Sequence, residues 1–322
     1  MAGRPTVLVT GATGFVGRRT AAMFAENGWN VRGLVREGGR AVLLPESVYP
    51  IVGDMNSSGW ESGAVAGVDM IVHLAGRAHV MNNGSGDELG AFRRANVDPT
   101  ARLAAAAARA GVRRFVYVSS VKVHGEGRDS AYRTDEALTP TDAYGLSKAE
   151  AEAALVESFP GEHVIVRPTF VYGEGGKGNF PRLVALARRS ASVPLPLGGI
   201  HNRRSLLYVD NLASLLVCCA HHDAAAGQIF LAADAEAVST TELLTRVGRA
   251  LGITPRLFKV PPALMRAAAE LVGRREEIAR LLGSLTVDTS PLRAKLGWVP
   301  PFDLDAALRR SLATSLPREP HQ

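Results

Sequence analysis

The first half of the chain alternates short apolar runs with helical patterns, and that alternation leaves few folds open. The runs "TVLVTG" (from Thr6), "NVRGLVR" (from Asn30), "VYPIVG" (from Val48), "VDMIVHLA" (from Val68), "RRFVYVSS" (from Arg113) and "EHVIVRP" (from Glu162) read as buried strands. Between them, "FVGRRTAAMFAENG", "NVDPTARLAAAAARAG" and "DAYGLSKAEAEAAL" read as helices. A strand that is apolar throughout needs cover on both faces, and parallel neighbours need helical crossovers to join them. The pattern predicts an α/β fold: a doubly wound parallel sheet with right-handed crossovers.

The first strand-to-helix turn is "VLVTGATGFVGRRTAAMF", which places Gly11, Gly14 and Gly17 between strand and helix. That context makes the glycines a dinucleotide-binding signal. They permit a tight turn and let backbone amides approach a pyrophosphate at the positive end of the helix. The second strand ends "LVREGGR", with Val35 where a carboxylate would bind a ribose 2'-hydroxyl and Arg36 next to it. That arrangement favours NADP(H), with NAD(H) as the alternative. Asp54, after the third strand, either bonds the adenine amino group or caps the following turn. After about Pro168 the pattern loosens into Gly- and Pro-rich loops with scattered strand and helix signals. The expected division is a Rossmann-like dinucleotide-binding domain over residues 1–168 and a smaller C-terminal α/β substrate lobe over 169–316, partly interleaved with it. Residues 317–322 read as a disordered tail.

Composition narrows the function classes. The 322 residues are 46% hydrophobic and 21% charged with a net charge of +6, the profile of a soluble globular protein. The excess sits in pairs such as Arg188-Arg189, Arg203-Arg204 and Arg274-Arg275, without an aromatic-interleaved basic stripe. Nucleic acid is therefore not an expected partner; an anionic small molecule or a merely solvated surface accounts for the charge. No apolar run, including "NLASLLVCCA", is long enough to span a membrane. Cys218 and Cys219 form no metal-ligand pattern, suit a reducing cytoplasm and read as helix core. His73, His124 and His201 are not spaced as metal ligands, so no metal site is expected.

Tyr144 and Lys148 stand one helical turn apart and project from one helix face. A Tyr-x-x-x-Lys spacing is weak evidence alone. With the glycine loop, "HLAG" at residues 73–76, "VSSVKVHGE" and Tyr144/Lys148 in order, the chain resembles the extended short-chain dehydrogenase/reductases. More narrowly it is similar to their NAD(P)-dependent nucleotide-sugar epimerase/dehydratase/reductase branch. The resemblance spans nearly the whole chain, to "KLGWVP" near the end. It implies a catalytic Ser120, Tyr144 and Lys148, with Ser119 the neighbouring alternative to Ser120. A free phenol, with a pKa of about 10, is a poor base at neutral pH, and a nearby cation lowers that value. It also implies cofactor contacts at Thr13, Phe15, Val16, Met55, Leu74, Ala75, Gly76, Asn96 and Pro168, with Tyr144 and Lys148 reaching the nicotinamide end. The implied partner is a nucleotide-diphosphate sugar, and homodimers are common among such enzymes.

Departures from the branch pattern refine the reading. Dehydratases carry an Asp-Glu pair where this chain has Val121 and Lys122, which speaks against water elimination. Phe170 replaces an Asn that many epimerases use. An Arg-x-Gly-Asp-like diphosphate segment is missing near "IARLLGSLTVD", where Arg280 is the substitute. Asn179 and Arg204 fit diphosphate contacts, a guanidinium fork being suited to two phosphate oxygens. Lys122 and His124 read either as lining the sugar pocket or as a solvated and a packed side chain. The expected activity is hydride transfer at C4 of the sugar, 4-keto reduction being slightly favoured over 4-epimerisation. A small-carbonyl reductase and a non-catalytic NADP-binding sensor are the remaining readings.

Overall fold

The computed structural model describes residues 3–78, 87–176, 178–271 and 273–313; the tail read as disordered, 317–322, lies outside them. The strands among the described residues are, in chain order, β1 Thr6–Thr10, β2 Asn30–Val35, β3 Val48–Val52, β4 Met70–His73, β5 Arg114–Val118, β6 Glu162–Pro168, β7 Phe170–Tyr172, β8 Arg204–Tyr208, β9 Ile229–Ala232 and β10 Ala237–Val238. The helices are α1 Phe15–Glu26, α2 Glu61–Val65, α3 Glu88–Asn96, α4 Asp98–Arg109, α5 Ala143–Ser158, α6 Asn179–Ser192, α7 Val209–His221, α8 Thr240–Ala250, α9 Pro262–Leu271, α10 Arg275–Leu282, α11 Ser290–Leu296 and α12 Leu304–Leu312.

The main sheet is parallel in the order β3-β2-β1-β4-β5-β6-β9. Its residues alternate between two cores, as a period of two requires. Val7, Val9, Met70, Val72, Val116, Val164 and Val166 face the core shared with α1 and α7. Leu8, Ile71, Phe115, Tyr117 and Ile165 face the opposite core, with α2, α4 and α5. Each fully buried Val, Leu, Ile or Phe contributes about 1.5–3 kcal/mol, which is why the central strands carry apolar residues on both faces.

Two expectations need correction. The "VYPIVG" run, expected to be buried, forms the edge strand β3, with Tyr49 and Val52 exposed. Pro50 lacks the donor an interior strand would need, and an edge tolerates that. "NVDPTARLAAAAARAG", read as one helix, instead contributes the end of α3 and all of α4, with Pro99 in the first turn of α4. A proline needs no amide there.

The chain runs outward from β1 to β2 and β3, then returns to β4 on the other side of β1. The strand order thus reverses between β1 and β4, and their C-terminal ends open the crevice where such sheets hold ligands. Past β6, β7 and β8 pair in parallel and β10 antiparallel in a second, three-stranded sheet. That sheet shares a separate core with α6, α8 and α12. The chain returns from this lobe to lay β9 against β6.

Candidate active site

The turn after β1 is shaped by close approach. A Cβ on Gly17 would stand 2.1 Å from Gly11 O, and one on Gly11 would stand 2.9 Å from Ala75 N. Gly11 also has φ +67, which glycine adopts without strain. The N-terminus of α1, capped by Gly14, has no side-chain cap and no acid in its first turn. Its amides and positive dipole therefore suit an anionic ligand. Phe15 and Val16 are half-buried and pack into the lobe core, while Thr13 stays partly exposed at the turn.

Beneath the turn runs a buried polar chain that the sequence reading did not anticipate. Ala75 N donates to Thr10 Oγ1 at 3.1 Å, and Thr10 Oγ1 lies 2.6 Å from His73 Nδ1. His73 Nε2 lies 2.9 Å from Thr100 Oγ1, which donates to Asn96 O at 2.6 Å. A hydroxyl has one proton, so Thr100 accepts from His73 Nε2–H and Nδ1 accepts from Thr10. Burial lowers the His73 pKa to about 3 and keeps the ring neutral. Asn96 Oδ1 accepts from Arg77 N at 2.7 Å, and its Nδ2 donates to Ser147 Oγ at 3.0 Å. Ser147 in turn donates to Tyr144 O at 2.8 Å. Hydrogen bonds thus link the ends of β1 and β4 to the helix carrying Tyr144. The signal available in the sequence was polar residues placed inside apolar runs, His73 at the end of β4 and Thr10 at the end of β1.

Ser120, Tyr144 and Lys148 meet at the end of β5. The Ser120 hydroxyl is close enough to the Tyr144 phenol to favour its ionised form, while Ser119, the alternative, is buried with its hydroxyl unpartnered. Burial raises the phenol's pKa, and the Ser120 hydroxyl and the Lys122 charge oppose that rise. Lys122 is thus a cation acting on the phenol to which the sequence reading gave no such role. Lys148 Nζ instead donates to Val118 O at 2.8 Å and lies 4.2 Å from the centre of the Tyr117 ring. Burial lowers its pKa to about 7. A Cβ on Gly76 would meet Asn96 Oδ1 at 3.2 Å and Lys148 Nζ at 3.9 Å, so Leu74, Ala75 and Gly76 pass close beside this pair.

Other candidates lie farther out or are already occupied. Val35 is buried and Arg36 exposed at the end of β2, so no carboxylate stands at the ribose position. Asp54 caps its turn, accepting from Asn56 N and Asn56 Nδ2, both at 3.0 Å. Met55 O accepts from Arg102 Nη2, and Pro168 is buried at the end of β6. The His124 ring lies in the interior, packed on Tyr132, and Arg167 Nη1 donates to its Nε2 at 2.9 Å. Arg167 is also bidentate to Glu152. His124 thus packs, and does not line an open wall. Asn179 is exposed at the start of α6. Arg204 Nη1 donates to Arg280 O at 2.8 Å and Gly283 O at 3.0 Å, bringing together the two arginines considered for a diphosphate.

A family model described as "NAD dependent epimerase/dehydratase family" matches residues 7–233. The chain belongs to that family. It is 37% identical to a UDP-glucose 4-epimerase of Vibrio cholerae, covering 95% of this chain and 94% of that one. It is 29% identical to a ceramide reductase of Caulobacter vibrioides, over 83% and 77% of the two chains. Among solved structures it resembles MoeE5 in complex with UDP-glucuronic acid and NAD, with a TM-score of 0.76, 24% identity and 96% and 98% of the chains covered. The family member described here is accordingly a nicotinamide-dependent enzyme. The side-chain-free cradle formed by Gly11, Gly14 and Gly17 under α1 fits such a dinucleotide. No helix among the described residues is long and apolar enough to cross a membrane.

Proposed function

We propose that the enzyme transfers hydride at C4 of a nucleotide-diphosphate sugar, working as a 4-keto sugar reductase that uses NADPH. The observation that carries this reading is the meeting of Ser120, Tyr144 and buried Lys148 at the end of β5, at the crevice where β1 and β4 diverge. When bound, the dinucleotide supplies the hydride to the carbonyl carbon. Tyr144 gives its phenolic proton to the carbonyl oxygen, so the ketone gains a hydride and a proton and becomes an alcohol. Ser120 donates to the same oxygen and holds it. A phenol whose pKa is raised by burial carries its proton at neutral pH, the state from which a ketone is reduced. Ser120 and the Lys122 charge then favour the phenolate, with Asp142 opposing them, until solvent returns the proton. Lys148, with Asn96 beside it, supports the nicotinamide ribose.

Val35 and Arg36 support NADPH, and a cofactor that arrives reduced and leaves oxidised supports reduction over epimerisation. Residues 169–316 act in this reading as the lobe that closes on the sugar nucleotide, Arg204 and Asn179 holding its diphosphate. The reaction would take place in the cytoplasm. A 4-epimerase is the second reading, favoured by the full-length likeness to the Vibrio cholerae protein. Deuterated NADPH supplied with a 4-keto nucleotide sugar distinguishes the two. Reduction leaves deuterium at C4 and consumes cofactor one for one. Interconversion of UDP-glucose and UDP-galactose without added cofactor establishes the epimerase instead.

A further inference from the structure

Three charges beside the reacting pair are left over by this chemistry. Lys122 Nζ lies 2.5 Å from Asp142 Oδ2 and 2.7 Å from Glu126 Oε1. The side chains are 36%, 36% and 43% exposed for Lys122, Asp142 and Glu126, so the trio borders accessible space. Its members do not swing freely. Asp142 caps α5, its Oδ1 accepting from Gly145 N at 2.6 Å, and Lys122 N is 3.3 Å from Ser120 Oγ. One cation and two carboxylates sum to −1.

The trio's position gives that charge a use. Lys122 follows Ser120 by two residues, its amide 3.3 Å from Ser120 Oγ, and Asp142 caps the turn that carries Tyr144. Glu126 precedes Gly127, where a Cβ would stand 2.3 Å from Ser284 O, and the next residue, Leu285, bridges Arg204. The trio therefore reaches from the reacting pair towards the arginine proposed for the diphosphate. A sugar ring held at both ends must lie along that interval. We propose that Lys122, Glu126 and Asp142 set the sugar specificity, admitting neutral hexoses that carry hydroxyl or acetamido groups and rejecting hexuronates. This rests on the nucleotide-sugar reading above. A sugar carboxylate would face a net negative group, and the cation within it, Lys122, is already held by two carboxylates. Hydroxyl and amide N–H groups can donate to the same carboxylate oxygens. Partial exposure screens the repulsion, so the discrimination is about tenfold, not absolute.

Calorimetric titration of the dinucleotide-loaded enzyme with UDP-glucose, UDP-glucuronate and UDP tests this. The wild type should bind UDP-glucuronate about tenfold more weakly than UDP-glucose. Glu126→Gln makes the trio neutral and should narrow that ratio several-fold, whereas Lys122→Gln leaves two carboxylates and should widen it. A general loss of structure cannot move the ratio in opposite directions. Equal affinity for the two sugars, or tighter binding of the uronate, overturns the proposal, as does a ratio that neither variant moves. Failure of UDP itself to bind places the fault in the nucleotide-sugar reading and removes both.

Discussion

Beneath the crevice, Thr10, His73, Thr100, Asn96 and Ser147 form a chain of neutral hydrogen bonds among buried or nearly buried groups. At its rim, Lys122, Glu126 and Asp142 form partly exposed ion pairs. The two regions are a few residues apart in space and obey different energetics. A buried donor that loses its partner pays its full desolvation, so the floor tolerates little change and fixes geometry. An exposed ion pair contributes about 0–1 kcal/mol to stability, so the rim can vary in charge without unfolding the protein. The floor is suited to holding reacting groups in place, and the rim to choosing what they meet. Tyr144 belongs to both: its carbonyl is tied to the floor through Ser147, and its phenol faces the charges of the rim.

The largest effect expected is at that junction. Tyr144→Phe keeps the ring and the Ser147 bond but removes the transferable proton. Turnover should fall about 10²–10⁴-fold while dinucleotide binding persists; near-normal turnover in single-turnover assays would remove Tyr144 from the chemistry. Next, Arg36→Ala should weaken NADPH by about 1.5–3 kcal/mol through the lost charge-assisted phosphate contact and barely change NADH. Fluorescence titration with both cofactors checks it, and equal losses would mean that Arg36 does not read the 2'-phosphate.

The floor and rim are compared directly by denaturant unfolding. Thr100→Val leaves His73 Nε2–H without its acceptor and should cost about 1–3 kcal/mol. Glu126→Gln should change stability by less than about 1 kcal/mol. Comparable losses in the two variants would erase the distinction.

The buried rings also predict a pH dependence below neutrality. Burial lowers the pKa to about 3 for His73 and about 4 for His124, against about 6.5 in an unfolded chain. The unfolded state therefore takes up protons first as pH falls. Stability from the two neutral rings is complete above about pH 6.5 and declines as pH drops towards 4. Thermal unfolding between pH 7.5 and 5 should show a midpoint that slopes downward with acid; a flat profile would mean that these rings titrate normally in the fold.

Much of the fold was legible along the chain because a parallel sheet covered on both faces demands unbroken apolar strands. All six runs read as buried strands belong to the main sheet, five of them in its interior, and Gly11, Gly14 and Gly17 fall on the turn that their spacing implied. Helical spacing put Tyr144 and Lys148 on one face, and the family resemblance pointed to Ser120, which the structure places just after β5. β3 was misread because an edge and an interior strand differ only in what lies beside them, although Pro50 was a local hint.

Local sequence therefore determined the element types, the glycine turn and the residue types available for proton transfer, since these depend on backbone conformation and short-range periodicity. Tertiary structure alone decided which polar groups meet. Thr10 and His73 are separated by 63 residues, Lys122 and Asp142 by 20, and Arg204 and Arg280 by 76. It also returned β9 to the edge of a sheet begun some 220 positions earlier. Hydrogen bonds and charge pairs act over a few ångströms, so their partners are set by chain crossings that no local pattern encodes. That is why Lys122, from the turn after β5, can act on the Tyr144 phenol although no local spacing links the two.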